Sequence, residues 1–446
     1  MAPLKRRVVL VPYPFQGHLT PMLQLAALLH RRGFSITVAH TRFNSPTTSN
    51  YPQFAFAALS DGLEGRDMSF YNALNVISEM NANCQASFRE HLLHVLEEEG
   101  EELVCVIYDN IMKFVDVVAD SLNLPTIVLR TTAAAFMHSH LALFDLAAHK
   151  RIPLPECELE LPVPNLHPLR YNDLPLHPTR EIPESVQEFL ESYMNIRSSA
   201  AVIWNTVEAL DEWPLQQLQR QWPVPFFTIG PLHKMAPPLP TSLIEEDTMC
   251  LSWLDKRAPG SVIYVSLGSM AIIDEDELCE MARGLARSEQ PFLWVVRTSL
   301  LNGSDAIASL PGDFGDVVRG RGLVVEWAPQ RKVLEHPAVG GFFTHCGWNS
   351  TLESLCEGVP MICRPCFADQ LVNARYLTHV WGVGVELGSV VEKGVEEAVR
   401  MLMKSDCGRE MRERAAGMKL EIERCMGRGG SSSESLDHLL EFVDSL

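Results

Sequence analysis

The stretch WAPQRKVLEHPAVGGFFTHCGWNSTLESLCEGVPMICRPCFADQ, residues 327–370, decides how this chain folds. Within it, residues 341–344 predict a short strand, 345–351 turn from that strand into a helix, and 360–362 predict the next strand. A strand that leads through small polar residues into a helix forms an anion site, because backbone N–H groups and the helix dipole both favour negative charge there. Strand, helix and strand in this order predict a parallel sheet with right-handed crossovers.

The same alternation extends over the rest of the chain, interrupted by a proline-rich stretch containing Pro237, Pro238 and Pro240. Such a stretch fits neither a helix nor a central strand, so it predicts a linker between two domains. We therefore predict an α/β protein with two doubly wound, Rossmann-like domains facing each other across a cleft. The remaining predicted strands are 8–11, 34–39, 104–108, 126–129, 261–267, 292–296 and 323–325, and the clearest helices are 21–32, 112–122, 275–286 and 434–446.

Composition limits the possible partners. The 446 residues carry a formal net charge of −19, which argues against nucleic acid and anionic membranes as partners because both are bound by clustered Lys and Arg. The apolar stretch from Val8 is interrupted by Pro12 and Pro14, and no later stretch reaches the roughly 20 apolar residues of a membrane span. The 11 scattered cysteines fit reduced thiols. We expect a soluble, cytoplasmic monomer without integral membrane association.

Several polar side chains in residues 327–370 suit a nucleotide sugar. Hydrogen-bond donors for a diphosphate are available at His345, Asn349 and Ser350. Glu353, one turn into the helix, could accept two hydrogen bonds from ribose hydroxyls, and Asp369 with Gln370 suits a polyol such as a sugar. Each residue alone also has a simpler explanation, because Asn and Ser commonly cap helices. Their joint spacing favours a binding site.

A second set of residues suits proton transfer. His18 lies in the loop after the first predicted strand, just before the helix expected near Pro21, and Asp109 follows the strand 104–108. A neutral His there could accept the proton of an acceptor hydroxyl. Asp109 could bond the other ring nitrogen, fix the tautomer and stabilise the imidazolium, although a structural role for His18 stays open on these residues alone.

Residues 327–370 closely resemble the signature segment of plant small-molecule UDP-glycosyltransferases, and the resemblance begins as early as Pro14-Phe15-Gln16-Gly17-His18. It implies a His18–Asp109 dyad and a final Gln370 typical of members that prefer glucose to galactose. It also implies a donor site. In that site Trp327 would stack on uracil and the backbone of Ala328 would pair with it, both within the Trp-Ala-Pro-Gln run that ends at Gln330. Glu353 would hold the ribose, and the diphosphate would be bound by Ser269, His345, Asn349 and Ser350. The sugar would be faced by Trp348, Asp369 and Gln370, and Thr131 would also approach it.

The resemblance further implies a GT-B fold and a metal-independent transfer that inverts the anomeric centre, with UDP-glucose as co-substrate and no cofactor. Residues 1–235 would bind the acceptor, 236–248 would form the linker, 249–425 would bind the UDP-sugar, and 426–446 would return to the first domain. The acceptor hydroxyl, or amine, would belong to a small apolar metabolite. The segments 364–367 and 373–376 resemble the branch with cytokinin, terpenoid and benzoxazinoid glucosyltransferases, whereas the loops 44–86 and 152–178 carry no readable acceptor code.

Competing patterns are weaker. Asp274-Glu275-Asp276 imitates a metal-binding Asp-x-Asp motif but stands at a predicted helix start, where carboxylates complement the dipole. Cys363 and Cys366 lack the second pair of a zinc site. A dehydrogenase with paired Rossmann domains would need regular glycine spacing, and Gly388 is one position late after Gly382 and Gly384. A nucleotide-sugar sensor without turnover remains the main alternative, and the presence of both His18 and Asp109 argues against it.

Overall fold

A computed structural model describes residues 5–64, 73–98, 101–149, 151–196, 199–301, 306–388 and 390–446. The chain forms two compact units, each built around one parallel sheet. The first comprises Met1–Pro153, Arg180–Leu243 and Arg424–Leu446, and the second comprises Leu154–Thr179 and Ile244–Glu423. The predicted α/β class with two doubly wound sheets is confirmed.

The first unit contains a seven-stranded sheet in the order β3-β2-β1-β4-β5-β6-β7, with every pairing parallel. Its central strands are rich in β-branched residues and buried over most of their length, as expected for a sheet covered on both faces by helices. The strands are β1 (Lys5–Val11), β2 (Ser35–Thr41), β3 (Ala55–Leu59), β4 (Glu101–Asp109), β5 (Thr126–Arg130), β6 (Ala201–Trp204) and β7 (Phe226–Thr228).

In the part of the chain that the structure describes, seven helices follow these strands, and the last helix of the chain joins them. Leu436, Leu439 and Val443 of that last helix share one apolar core with α1 and β1. The helices are α1 (Gln16–Arg31), α2 (Ala73–Glu97), α3 (Phe114–Ser121), α4 (Ala134–Ala148), α5 (Glu184–Met194), α6 (Glu208–Gln221), α7 (Leu232–Met235) and α16 (Ser431–Ser445).

Helix α1 begins earlier than the sequence predicted. It starts at Gln16, after Phe15 at the N-cap, and Pro21 lies inside it. The prediction placed Pro21 in the first turn, where proline is most common, but a proline removes only one backbone donor and this helix accommodates it in its second turn. His18 is therefore a first-turn residue of α1 and not a loop residue. Asp109 is likewise the last residue of β4 itself.

The second unit contains a six-stranded parallel sheet in the order β10-β9-β8-β11-β12-β13. Its strands are β8 (Val262–Ser266), β9 (Phe292–Val295), β10 (Gly322–Val325), β11 (Val339–Thr344), β12 (Met361–Cys363) and β13 (Gly384–Glu386). Its helices are α8 (Met249–Leu254), α9 (Glu275–Ser288), α10 (Phe314–Val317), α11 (Gln330–Glu335), α12 (Trp348–Glu357), α13 (Asp369–Arg375), α14 (Glu392–Lys404) and α15 (Asp406–Met426), of which α15 runs into the first unit.

The division into units differs from the sequence prediction in one segment. Residues Leu154–Thr179 belong to the second unit, although the prediction placed all of 1–235 in the first. The reason is a set of ion pairs and hydrogen bonds to residues more than 200 positions away, such as Arg170–Glu386 and Arg375–Pro168, which leave no local signal in the sequence. The boundary near the predicted linker falls between Leu243 and Ile244.

Within the described ranges, no helix is both long enough and apolar enough to cross a bilayer. All 11 cysteines are free thiols.

Candidate active site

The carboxyl ends of β1 and β4 bring His18 and Asp109 together in the first unit. The two strands are neighbours in the sheet, with Val11 opposite Tyr108. His18 Nδ1 lies 2.7 Å from Asp109 Oδ2, and the other carboxylate oxygen accepts a hydrogen bond from the Ile111 N–H at 3.1 Å. The Asp109 side chain is buried, whereas that of His18 is 23% exposed. The pair joins a fixed buried carboxylate to an imidazole that solvent can reach.

The environment of Nδ1 defines the tautomer of His18. Asp109, as a carboxylate, only accepts hydrogen bonds, so Nδ1 carries the proton and Nε2 the lone pair. Thr131, which the resemblance directed toward the sugar, places its hydroxyl oxygen 3.0 Å from the same Nδ1. The hydroxyl acts there as a second acceptor. Tyr13 packs edge-on against the ring, with centroids 5.1 Å apart. The lone pair on Nε2 suits a proton acceptor.

A buried carboxylate that the sequence did not reveal holds the loop of Thr131. Asp211 is fully buried and accepts hydrogen bonds from the first backbone N–H groups of α4, at 3.0 Å from Ala134 and 3.2 Å from Ala135. It also accepts from the Thr206 hydroxyl at 2.7 Å. Asp211 thus acts as a remote cap of α4, since the N–H groups in the first turn of a helix have no partner within it. This cap fixes residues 131–133, which connect β5 to α4 and include the Thr131 that contacts His18.

In the second unit, the corresponding neighbouring strands β8 and β11 bring Gly268 and His345 together. Gly268 adopts a φ of +72°, and a Cβ added there would lie 2.5 Å from His345 Nε2. A Cβ added at Gly347 would also lie 2.5 Å from that nitrogen. Both glycines are needed because the ring packs directly against their backbones. His345 Nδ1 is buried and has no hydrogen-bond partner among the described residues.

Two arginines surround His345. Burial, with the charges of Arg297 and Arg364 adding to it, lowers the pKa of His345 to about 4, so the ring is neutral at physiological pH. The guanidinium of Arg297 is itself buried, which lowers its pKa to about 10, and it donates to the Ala271 carbonyl and to Ser299 Oγ, the latter at 2.8 Å. Arg364 pairs with Glu277. The region is electropositive while its imidazole stays uncharged.

Gln330 connects residues that the resemblance assigned to ribose and diphosphate. Its amide Nε2 donates to Glu353 Oε2 at 2.7 Å and to Ser350 Oγ at 2.9 Å. Its Oε1 accepts from the buried Tyr264 hydroxyl at 3.3 Å. Since both ends of the amide are bonded, its orientation is fixed, and Gln330 positions the Glu353 carboxylate on α12.

Gln370 and Asp369, at the start of α13, are also held by hydrogen bonds. Gln370 Oε1 accepts from the backbone N–H groups of Cys366 at 2.8 Å and Phe367 at 3.2 Å. With its oxygen engaged, the amide NH₂ is the group that Gln370 can offer to a ligand. Asn373 Nδ2 donates to Asp369 Oδ2 and to the Cys346 carbonyl, both at 2.9 Å. Asn373 therefore links α13 to the loop of His345.

The remaining predicted donor residues lie along the same elements. Trp327 is half-buried and its carbonyl accepts from the Asp247 N–H at 3.0 Å, while Ala328 beside it is buried. Trp348, the first residue of α12, is buried with its ring centroid 6.4 Å from that of Trp381. The half-buried Ser269 and Asn349 lie in the turn after β8 and in the first turn of α12. The predicted donor residues thus all follow strands of the second sheet, apart from Thr131 in the first unit.

Comparison with known proteins identifies the family. The model of the family "UDP-glucoronosyl and UDP-glucosyl transferase" matches residues 191–414. The chain is 50% identical over 444 residues to UDP-glycosyltransferase 76E1 of Solanum lycopersicum, covering 99% of this chain and 93% of the relative. The chain belongs to the UDP-glycosyltransferase family. A flavonol 3-O-glucosyltransferase of Arabidopsis thaliana is 43% identical over 452 residues, covering 100% of this chain and 98% of the relative.

Solved structures of other UDP-glycosyltransferases share the fold. A UDP-glucosyltransferase from Polygonum tinctorium capable of glucosylating indoxyl aligns with a TM-score of 0.85 at 27% identity, covering 100% of each chain. Os79 from O. sativa, solved with UDP, aligns with a TM-score of 0.84 at 27% identity, covering 98% of this chain and 99% of that one. The expected GT-B fold and the enzyme class are confirmed.

The competing motifs have structural explanations in this UDP-glycosyltransferase. Asp274 caps α9, accepting from the Glu277 N–H at 2.7 Å, as its place at a helix start predicted. Cys346 and Cys363 are buried close together, and burial raises the pKa of the Cys346 thiol. Over the described residues, no group of three or more His, Cys, Asp or Glu side chains is arranged to hold a metal ion.

Sequence reasoning missed Asp211, Arg297 and Asn373. Asn373 could have been found, because it lies four residues after Asp369 on the same helix, where side chains meet. Arg297 follows a strand, which is a position worth examining in any doubly wound sheet. The capping role of Asp211 had no local signal, since the N–H groups it caps, at Ala134 and Ala135, lie more than 70 residues away and only Thr206 is nearby.

Proposed function

We propose that this UDP-glycosyltransferase transfers glucose from UDP-glucose to a hydroxyl group of a small apolar plant metabolite, with inversion and without a metal ion. The observation that carries the proposal is the contact of 2.7 Å between His18 Nδ1 and the buried Asp109 carboxylate. This contact leaves Nε2 as the basic nitrogen of a side chain that is 23% exposed.

The reaction consists of one displacement. The acceptor O–H gives its proton to His18 Nε2 as its oxygen forms a bond to the anomeric carbon. The bond from that carbon to the UDP oxygen breaks, and UDP leaves with the bonding electrons. Asp109 stabilises the imidazolium that results, and the dipole at the start of α1 makes this compensation necessary because it disfavours a cation in the first turn. No protein nucleophile takes part, so an α-linked donor yields a β-glucoside.

The donor side would be held by neutral and dipolar groups. The start of α12, with Asn349 and Ser350, would meet the diphosphate together with Ser269 and the unpaired Nδ1 of the neutral His345. Trp327 and the Ala328 backbone would bind uracil, and Glu353 would bind the ribose in the orientation that Gln330 gives it. The buried Arg297 and the half-buried Arg364, which pairs with Glu277, support this assignment through their charge.

Glucose as the sugar is supported by the start of α13 and by relatives whose names specify glucosyl transfer. Trp348, Asp369 and Gln370 would face the sugar, with Gln370 donating through its amide NH₂. A buried polar group that loses its partner costs about 1–3 kcal/mol. UDP-galactose, with one hydroxyl inverted, should therefore be used roughly five- to more than a hundredfold less efficiently.

The test is UDP release from UDP-glucose with a panel of phenols and alcohols, run with and without a strong chelator, together with the NMR coupling constant of the product's anomeric proton. We expect release that depends on an acceptor, survives chelation and gives a β-glucoside. UDP-galactose is the matched donor control. Binding of UDP-glucose without turnover on any acceptor would favour a sensor, and manganese-dependent turnover would turn attention to Asp274 and Asp276.

A further inference from the structure

The segment Leu154–Thr179, here called the strap, lies in the chain between helices α4 and α5 of the first unit but belongs to the second. Its short 3₁₀ turn Tyr171–Asp173 packs against α13. No part of the proposed reaction uses the strap. Its position against α13 therefore requires another explanation.

The strap holds the last residue of α13 through a buried carboxylate. Arg375 Nε donates to the Pro168 carbonyl at 3.0 Å and lies 3.5 Å from Asp173 Oδ2. Asp173 is 4% exposed, and three hydrogen bonds from Arg170 fix it: from the backbone N–H at 2.8 Å, Nε at 3.0 Å and Nη2 at 2.7 Å. Arg170 also reaches Glu386 of β13 at 3.4 Å. Such a fork of bonds between a guanidinium and a carboxylate has a fixed geometry.

Helix α13 carries the residues proposed to read the sugar at its other end. It has only seven residues, so a displacement at Arg375 moves Asp369 and Gln370 with it. The chain enters the helix through Ala368, whose φ of +55° is rare for a residue with a side chain. This conformation persists only where surrounding contacts hold the helix in place, and Arg375 supplies one set of them.

We propose that Asp173 and Arg170 of the strap are positioning residues that hold α13, through Arg375, where Asp369 and Gln370 bind the donor sugar. The inference rests on the proposed function, since it requires that α13 bind the sugar. It assigns a share of donor recognition to a segment from the first half of the chain. It also predicts a specific signature, because the residues proposed for UDP lie outside α13.

The experiment compares the Kd of UDP with that of UDP-glucose by titration calorimetry in wild type, Asp173→Asn and Arg375→Lys. Asparagine keeps the size of Asp173 but not its charge, and lysine keeps the charge of Arg375 without its fork. We expect the Kd of UDP-glucose to rise roughly tenfold in both variants, the scale of one net hydrogen bond, and that of UDP to change by less than about twofold. Glu160→Gln is the matched control, because Glu160 contacts Arg170 at 2.7 Å but its side chain is 66% exposed.

Equal weakening of both ligands would overturn the inference, since it would indicate a general effect on the unit. Unchanged affinity for UDP-glucose in both variants would overturn it as well. If wild type bound no UDP, the proposed function would fail and the inference with it, so the two failures are distinguishable. Melting temperatures identify a variant that does not fold. Arg375→Lys, the milder change, then decides the result.

Discussion

The two histidines His18 and His345 occupy related places in the two units and have opposite surroundings. In the first sheet β1 pairs with β2 on one side and with β4 on the other, and in the second sheet β8 pairs in the same way with β9 and β11. The loops after β1 and β4, and those after β8 and β11, diverge. His18 follows β1 and meets Asp109 at the end of β4. His345 follows β11, the counterpart of β4, and meets Gly268 after β8. Ligands of doubly wound sheets bind at such points.

The neighbouring charges distinguish the two sites. His18 has a buried carboxylate 2.7 Å away, which stabilises the ring when it gains a proton. His345 is buried, which disfavours a proton on its ring, and the charges of Arg297 and Arg364 add to this effect. The same imidazole group can therefore serve as a base in one unit and as a neutral hydrogen-bond donor in the other. Burial and neighbouring charge, and not the place after a strand, separate the two histidines.

The largest expected effect concerns His18. General-base catalysis contributes about 10²–10⁴-fold, so His18→Ala should lower kcat/KM by that factor with an alcohol or ordinary phenol. A nitrophenol, already largely ionised at neutral pH, should lose clearly less. Asp109→Asn should follow the same order with a milder loss, because the imidazole remains. The measurement is kcat/KM over acceptors of similar shape and graded acidity. A uniform loss over that series would make His18 a positioning residue.

An intermediate effect is expected at Gln330, because its amide orients the Glu353 carboxylate of the second unit, as His18 and Asp109 orient each other in the first. Asp109 is bonded to an imidazole that can take a proton, whereas Glu353 is bonded to an amide that cannot. Hydrogen bonds to charged groups contribute about 1.5–3 kcal/mol, so Gln330→Leu should raise the KM for UDP-glucose roughly ten- to a hundredfold with little change in kcat. Lys332→Gln, at an exposed position of the same helix, is the control. A selective fall in kcat would contradict a role in donor binding.

A smaller effect is expected when His345 is replaced by a neutral amide. If His345 acts only as an uncharged donor, His345→Gln loses at most one ordinary hydrogen bond, about 0.5–1.5 kcal/mol or two- to thirteenfold in donor KM. His18→Gln should remain as inactive as His18→Ala, since an amide is no base. The two matched substitutions, assayed side by side, test the comparison directly. A loss at His345→Gln as large as that at His18→Gln would show that the comparison is wrong.

Local patterns in the sequence predicted most of the sheet but not the contacts that orient the site. Strands such as 8–11 and 126–129 are short β-branched runs, which any buried parallel strand requires. The start of α1 was missed because a proline was assigned to the first turn, which displaced His18 from helix to loop. Local patterns cannot predict a side-chain orientation that depends on a hydrogen bond or ion pair between residues far apart in the sequence. Gln330 and Glu353 are separated by 23 positions, and Arg170 and Glu386 by 216.

The resemblance supplied a list of residues but no directions for their side chains. It named Gln330 and Gln370 for the donor site without showing that both amides are bonded within the protein. It directed Thr131 toward the sugar, which stays a prediction, without indicating that the Thr131 hydroxyl contacts His18 Nδ1. A motif lists the residues that occur together, and only packing determines which atom of each faces a ligand.

The smallest expected effect is the response of donor binding to pH. Burial and the two arginines lower the pKa of His345 to about 4, so the ring stays neutral at every pH well above that value. The diphosphate of UDP-glucose, esterified at both ends, does not titrate near neutrality. The KM for UDP-glucose should therefore be flat between pH 5.5 and 8.

A positively charged His345 would bind the diphosphate more tightly, because hydrogen bonds to charged groups are about twice as strong as neutral ones. Protonation within this range would thus appear as a donor KM that falls severalfold toward pH 5.5, and such a fall in wild type would contradict the neutral assignment.

Arg297→Gln sharpens the test, because it removes one of the two cations that disfavour the proton while the amide can still donate to the Ala271 carbonyl. The pKa of His345 should rise in this variant without reaching that of an exposed histidine, since burial is the larger cause of the shift. We expect a weak acid dependence of donor KM to appear in Arg297→Gln and to be absent from wild type. If instead both profiles were flat and donor KM rose equally at every pH, Arg297 would act on the diphosphate through its own charge, and the neutral state of His345 would follow from burial alone.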